Sequence, residues 1–230
     1  MLEFYTTIFA PPRDLIPLVI MFYIGTSLAE QRTARHNLPA ELFSKFLYYA
    51  TAAFLLTGGY ETISLNPTSY LPQLNLSLFN LPLGLVASAL VGVYYFSNKL
   101  LPIWNTLDAL TYVFSFTAIG IALAHLASGQ AFGMATSHPW AIEQWGALRH
   151  PTQLYELLAS LVIPGILWFR KTDSPPGAFF LHFTALTAGA RLFLEAFRGD
   201  STLVFGEFRL AQIVAWTVLA FVLFRIESQQ

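Results

Sequence analysis

The chain of 230 residues contains no cysteine, which excludes disulfides, thiolate metal sites and a thiol nucleophile of its own. Any sulfur chemistry must use a substrate's sulfur. Charge is also scarce: 11% of residues are Asp, Glu, Lys or Arg, against roughly 25% in an ordinary soluble domain. A net charge of −1 provides no basic surface for nucleic acid. Internal repeats and a soluble domain are absent as well, and no metal site or cofactor is expected. The start, "MLEFYTTIFAPPRD", lacks a basic n-region and a small-residue cleavage site, so no removable signal peptide is expected. What remains is apolar: 55% of residues are hydrophobic and 16% aromatic, with a mean hydropathy of +0.55. These proportions predict an all-α, polytopic membrane protein forming one transmembrane domain over 1–230.

Crossing a bilayer as a helix takes about 20 mostly apolar residues. Seven stretches qualify, at about 15–29, 42–63, 76–96, 107–127, 152–169, 178–197 and 208–226. Turn formers such as "LNPTSYLPQ" and "DSPPG" separate them. Cytoplasmic loops collect Lys and Arg. With the N-terminus outside, the inner segments hold seven, namely Arg32, Arg35, Lys45, Lys99, Arg170, Lys171 and Arg225. The outer ones hold four, Arg13, Arg149, Arg198 and Arg209. An N-out, C-in topology follows, with the long 128–151 connection outside, and function is expected to face outward.

Two stretches carry chemistry. In "GAFFLHFTALTAGARLFLEAFRGD", at 100° per residue, Glu195 lies about 40° and Arg198 about 20° from Arg191 around the axis. Thr184 and Thr187 extend that stripe inward, and His182 points the other way. An ionisable residue in a span costs at least ~2.5 kcal/mol, so such residues face a partner or a watery cavity. The partner is expected from "RHPTQLYELLAS", Arg149 to Ser160. Pro151 suits the first helical position, with His150 as N-cap, and puts Thr152, Gln153, Glu156 and Ser160 on one face. Glu156 can pair with Arg191 across two helices. If the carboxylates neutralise both arginines, the cluster is an ion network; a spare arginine makes it an anion site, since guanidinium holds phosphate bidentately.

Other residues have plainer readings. Asp108 opens the fourth span and is expected to cap it or to serve the helix dipole. His138 and Trp145 are expected in an interfacial aromatic belt, Gly58 and Gly59 in close helix packing, and His36 in the first inner loop facing solvent or headgroups. His125 stands late in the fourth span near Ser128 and Gln130.

At the two stretches the sequence resembles the bacterial prolipoprotein diacylglyceryl transferases. "RHPTQLYE" is similar to the family's R-H-P-S-Q-L-Y-E motif, with Thr152 in place of serine, and "ARLFLEAFRGD" to its R-x-x-x-E-x-x-R-x-P-D motif. "LDAL" and "HPWAI" add weaker likeness. The resemblance implies transfer of diacylglyceryl from phosphatidylglycerol to a lipoprotein signal-peptide cysteine, releasing glycerol phosphate, in the bacterial cell membrane. It implies catalytic roles for His150, Arg191 and Glu195, and lipid-headgroup binding by Arg149, Gln153, Tyr155, Glu156 and Arg198. His150 is the expected base. The chain departs from the family pattern in the fourth span, where "IALAHLASGQ" has Ala122 at an arginine position and His125, Ser128 and Gln130 at Asn, Asn and Glu positions. It also lacks a histidine in "NLPLG" and an arginine around Gly59. His125 and Gln130 are the expected substitutes. The alternative is a noncatalytic relative acting as a phospholipid-binding or assembly subunit of a membrane complex; a transporter, lacking repeats and broken-helix pairs, is disfavoured.

Overall fold

The structure, a computed structural model, describes residues 6, 8–10, 14–36, 38–39, 41–59, 81–99, 101–169, 174–204 and 206–228. Among these are seven α-helices: α1 Ile16–Arg32, α2 Glu41–Gly58, α3 Leu81–Asn98, α4 Ile103–Ser128, α5 Thr152–Trp168, α6 Ala178–Leu194 and α7 Leu210–Glu227. All seven expected stretches contain one. Two of them, α4 and α7, are long and apolar enough to cross a membrane. The "LNPTSYLPQ" connection, Asn80, Arg13, Arg170, Lys171 and the side chain of Arg35 lie outside the described residues.

The bundle is organised around α4, whose Ala109, Thr111 and Ala124 are fully buried. Helices α1, α5 and α6 pack on it, α2 pairs with α3, and α7 lies mainly on α6. Helices α1 and α4 cross with their backbones close together. A Cβ on Gly25 would stand 2.8 Å from Phe116 Cβ, and one on Gly120 2.8 Å from Leu18 Cα. Close packing at this crossing rests on Gly25 and Gly120; the expected pair, Gly58 and Gly59, lies buried at the end of α2. Outward, α7 exposes Ile213, Trp216, Phe221 and Phe224, as a helix apolar all round does when its solvent is hydrocarbon.

Asp108 corrects its expected role. It stands a full turn inside α4, and its carboxylate accepts from the backbone N–H groups of Gly177 at 2.7 Å and Phe180 at 2.8 Å. It therefore caps the neighbouring helix α6, whose N-cap, Gly177, has no side chain to do so. At the same end Arg32 lies 3.8 Å over the Trp168 ring and donates to the Tyr112 hydroxyl, while the His36 ring packs 6.2 Å from Tyr112.

The 129–151 connection is an ordered structure. β1 Ile142–Gln144 and β2 Ala147–Arg149 form an antiparallel hairpin across Trp145 and Gly146, both at positive φ, as a primed two-residue turn requires. Met134 N–H donates to the Phe197 carbonyl, Gly199 N–H to Phe132, and His150 N–H to Met134. Residues 132–135 are thus laced between the start of α5 and the end of α6. A second small hairpin, β3 Leu203–Val204 with β4 Phe208–Arg209, leads into α7.

Candidate functional site

The site forms where α4, α5 and α6 meet at the end carrying these connections. Glu156, one turn into α5, is its centre. Its Oε1 accepts from Arg191 Nη1 at 2.9 Å and from Arg198 Nη1 at 3.0 Å, and its Oε2 lies 3.0 Å from His125 Nδ1. Three helices' worth of ionisable groups converge on one carboxylate. Glu195, 2% exposed, brings Oε2 to 2.9 Å from Arg191 Nη2, an ion contact lacking the alignment of a hydrogen bond. Asp200 takes the other edge of Arg198, Oδ1 on Nε at 2.9 Å and Oδ2 on Nη2 at 3.0 Å. Burial lowers the Arg198 pKa, but the Asp200 hydrogen bonds and the charges of Glu156, Asp200 and Glu195 outweigh it and leave it raised.

Arg198 reaches the cluster by a different route from the one expected. The α-helix ends at Leu194, Glu195–Phe197 is a 3-10 turn, and Arg198 is extended at φ −75°, ψ 138°. The 100° step fails past Leu194 because the chain is drawn into backbone pairing with Gly133. Arg209 fixes this turn: its Nη1 donates to the carbonyls of Glu195 and, at 2.8 Å, Arg198, and to Ser201 Oγ at 3.0 Å. Gln212 donates to the Leu192 carbonyl, so α7 and the hairpin before it satisfy carbonyls that the end of α6 leaves open.

Two cavities flank Arg191. The larger, about 550 Å³, lies between α6 and α7; Arg191, Arg198, Asp200, Ser201 and Thr202 form its polar end, and Leu210, Val214 and Val218 are among its apolar lining. The smaller, about 180 Å³, lies between α4, α5 and α6, with His125, Glu156 and Ser160 facing small residues such as Ala122 and Ala159. Pro164 deprives the Ser160 carbonyl of its helical donor. Arg191, Thr187 and Phe183 line both cavities, and the Thr187 hydroxyl is buried without a hydrogen bond. The Arg191 side chain is 37% exposed, against 12% for Arg198. Arg191 alone of the two arginines faces both spaces.

Of the residues singled out from sequence, His125, Glu156, Arg191, Glu195 and Arg198 come together. Ser160 and Thr187 line the adjoining cavities; the other expected site residues do not join them. Arg149 donates to the carbonyls of Gln144 and Gly133 and stacks over Phe132. Gln153, 1% exposed, donates to the Gln130 carbonyl and to Gln144 Oε1, which makes the Gln130 backbone part of the loop's anchorage. Tyr155 accepts from Trp140 Nε1 at 2.8 Å. His150, 8% exposed, sits 3.4 Å from the Tyr155 hydroxyl and edge-on to Phe197, and lines neither cavity. It does not cap α5 either: the helix begins at Thr152 after Pro151, and Thr152 Oγ1 instead donates to the Ala131 carbonyl at 2.5 Å. His138 stacks on Trp140, and Trp145 donates to the Gly129 carbonyl. His182 folds back on the Ala178 carbonyl. Sequence reasoning missed Asp200, although "FRGD" puts it two residues from Arg198, and Arg209, whose partners are mainly backbone carbonyls without a sequence signature.

A sequence model of the family described as "Prolipoprotein diacylglyceryl transferase" matches residues 16–226. The chain is similar to the protein named phosphatidylglycerol–prolipoprotein diacylglyceryl transferase in several bacteria. It is 33% identical to that of Sinorhizobium medicae over 123 residues, covering 50% of this chain and 44% of the relative. Identity to that of Clostridioides difficile is 31% over 140 residues, 57% and 53% of the two chains. With that of Geobacillus kaustophilus it is 26% over 219 residues, 85% and 80%. In the first two the match spans about half of the relative's length. Each of these proteins carries a transferase name, and the alternative of a noncatalytic assembly subunit finds no support among them.

Proposed function

The chain belongs to the prolipoprotein diacylglyceryl transferase family, and from that membership we propose that it moves a diacylglyceryl group from phosphatidylglycerol to the cysteine thiol of a lipoprotein signal peptide. The observation that carries this reading is the Glu156 carboxylate holding Arg191 and Arg198 together at the seam of two cavities. A phosphate leaving group needs fixed donors where its charge develops, and a lipid donor needs apolar walls beside them.

In the proposed arrangement the donor lies in the cleft between α6 and α7, acyl chains along Leu210, Val214 and Val218, phosphate toward Arg191 and Arg198. The acceptor thiol reaches Arg191 from the smaller cavity. The S–H bond breaks with the proton passing to an imidazole. The thiolate then attacks the glyceryl carbon, and the C–O bond to phosphate breaks with its electron pair leaving on glycerol phosphate. The arginines offset that charge.

For the base we propose His125 in preference to His150, which lines neither cavity. The His125 Nδ1 faces the Glu156 carboxylate at 3.0 Å, which orients the ring and leaves Nε2 as the nitrogen turned away from that partner. His125 thereby serves as one substitute for the fourth-span groups that the sequence lacks; Gln130, the other expected substitute, lines neither cavity and contributes a backbone carbonyl to the loop's anchorage. His150, Tyr155, Gln153 and Arg149 we assign to holding the loop against the headgroup end of the cleft.

We read the seven helices as spans of a bacterial cell membrane, N-terminus outside, C-terminus in the cytoplasm, residues 1–230 as one domain, and the site toward the outside. The excess of Lys and Arg on the opposite side supports this. The direct test of function is incubation of the purified protein with phosphatidylglycerol and a cysteine-containing lipobox peptide. A diacylglyceryl mass gain on the peptide cysteine is expected; no gain under conditions where a family enzyme transfers overturns the reading. In the same assay His125→Ala loses transfer, and His150→Ala keeps a measurable rate.

A further inference from the structure

The three carboxylates of the cluster are not equivalent. Glu156 and Glu195 sit on helical backbone with side chains 12% and 2% exposed, while Asp200 is 25% exposed and follows Gly199 in a segment without regular structure. Asp200 also lines the larger cleft beside Ser201 and Thr202. Its two oxygens engage Nε and Nη2 of Arg198 side-on at 2.9 and 3.0 Å, the two-oxygen edge that a phosphate presents to a guanidinium. The remaining Nη1 is committed to Glu156.

We propose that Asp200 is an exchangeable counter-ion, a carboxylate that shares one edge of Arg198 with the phosphate of the lipid and of the released glycerol phosphate, yielding it on binding and reclaiming it to expel the product. The proposal rests on the functional reading above and names the group in that site that sets affinity for phosphate. Exchange keeps the charge balance at Arg198, because one anion replaces another; Asp200 needs only side-chain rotation from an irregular segment. Glu156 and Glu195 stay in place and keep both arginines positioned throughout. Because the product carries its phosphate as a monoester with a second ionisable oxygen, it would be held too firmly by bare arginines, and a tethered competitor at high local concentration opposes that.

The experiment measures binding of sn-glycerol 1-phosphate by calorimetry to the purified full chain, with Asp200→Asn and, as a control for loss of one nearby charge, Glu207→Gln on the exposed β3–β4 turn. Asp200→Asn is expected to bind roughly tenfold more tightly, the scale of one charge-assisted hydrogen bond, with Glu207→Gln like wild type. Equal or weaker binding by Asp200→Asn, or equal tightening by Glu207→Gln, overturns the proposal. Should Asp200→Asn not fold, a structure of the wild-type chain with sn-glycerol 1-phosphate decides: phosphate on Nε and Nη2 of Arg198 with Asp200 turned aside supports it, and phosphate elsewhere with Asp200 still on Arg198 overturns it. Calorimetry needs no turnover, so failure of transfer and failure of the exchange are read separately.

Discussion

At the scale of single residues, Glu156 is the group whose loss does most. Its two oxygens serve two arginines and a histidine, and removing one member of a buried ion network leaves the others uncompensated at a cost of about 3–5 kcal/mol. Glu156→Gln is expected to lower thermal stability by that order and to cut transfer by about 10²–10³-fold, checked by unfolding in detergent and by the peptide mass assay. Arg191→Lys keeps the charge but not the fork that spans Glu156 and Glu195. Its stability should hold better than its turnover, which the same two measurements separate. The pairing of Glu156 with Arg191 was legible in the sequence because both stand in apolar runs, where a charge requires a partner. The approach of His125 to Glu156 was not, since residue spacing within α4 says nothing about which neighbour its face meets.

Elements are joined by contacts of two kinds, and each predicts a different failure. Helix α6 takes its cap from Asp108 on α4, so Asp108→Ala should cost about 1–2 kcal/mol, with Asp108→Asn costing less; thermal unfolding of the two variants checks the order. The α1–α4 crossing meets at Gly120, where a new Cβ would press on the Leu18 backbone. No rotamer relieves contact with main chain, and Gly120→Val is expected to destabilise by about 1–3 kcal/mol. Helix positions were readable from hydrophobic runs, as α5 shows: 152–169 was expected and Thr152–Trp168 formed. Helix ends were not. Arg198 leaves the α6 axis because residues distant in sequence, Phe132 to Met134, compete for its backbone, and no local pattern records that competition. The same blindness gave Asp108 to the wrong helix.

For the molecule as a whole, the freedom from cysteine makes topology directly measurable. Single cysteines introduced at Ser137 in the long connection and at Ser228 after α7 should differ in intact cells: an impermeant maleimide labels the first and spares the second until the membrane is opened. Labelling of Ser228→Cys in sealed cells overturns the C-in orientation. The composition foretold a bundle of apolar helices, and a helix such as α7, exposed along Trp216, Phe221 and Phe224, shows why: its only suitable solvent is lipid. What composition did not reveal is how the far connection is secured. Residues 132–136 meet Phe197 to Gly199 and Leu148 to His150 through main-chain hydrogen bonds, to which the Arg149 side chain adds one on the Gly133 carbonyl. That mooring has no slack at Gly133 and Gly199, where any added carbon would strike backbone, so the placing of the Arg198 guanidinium depends on two residues that have no side chain at all.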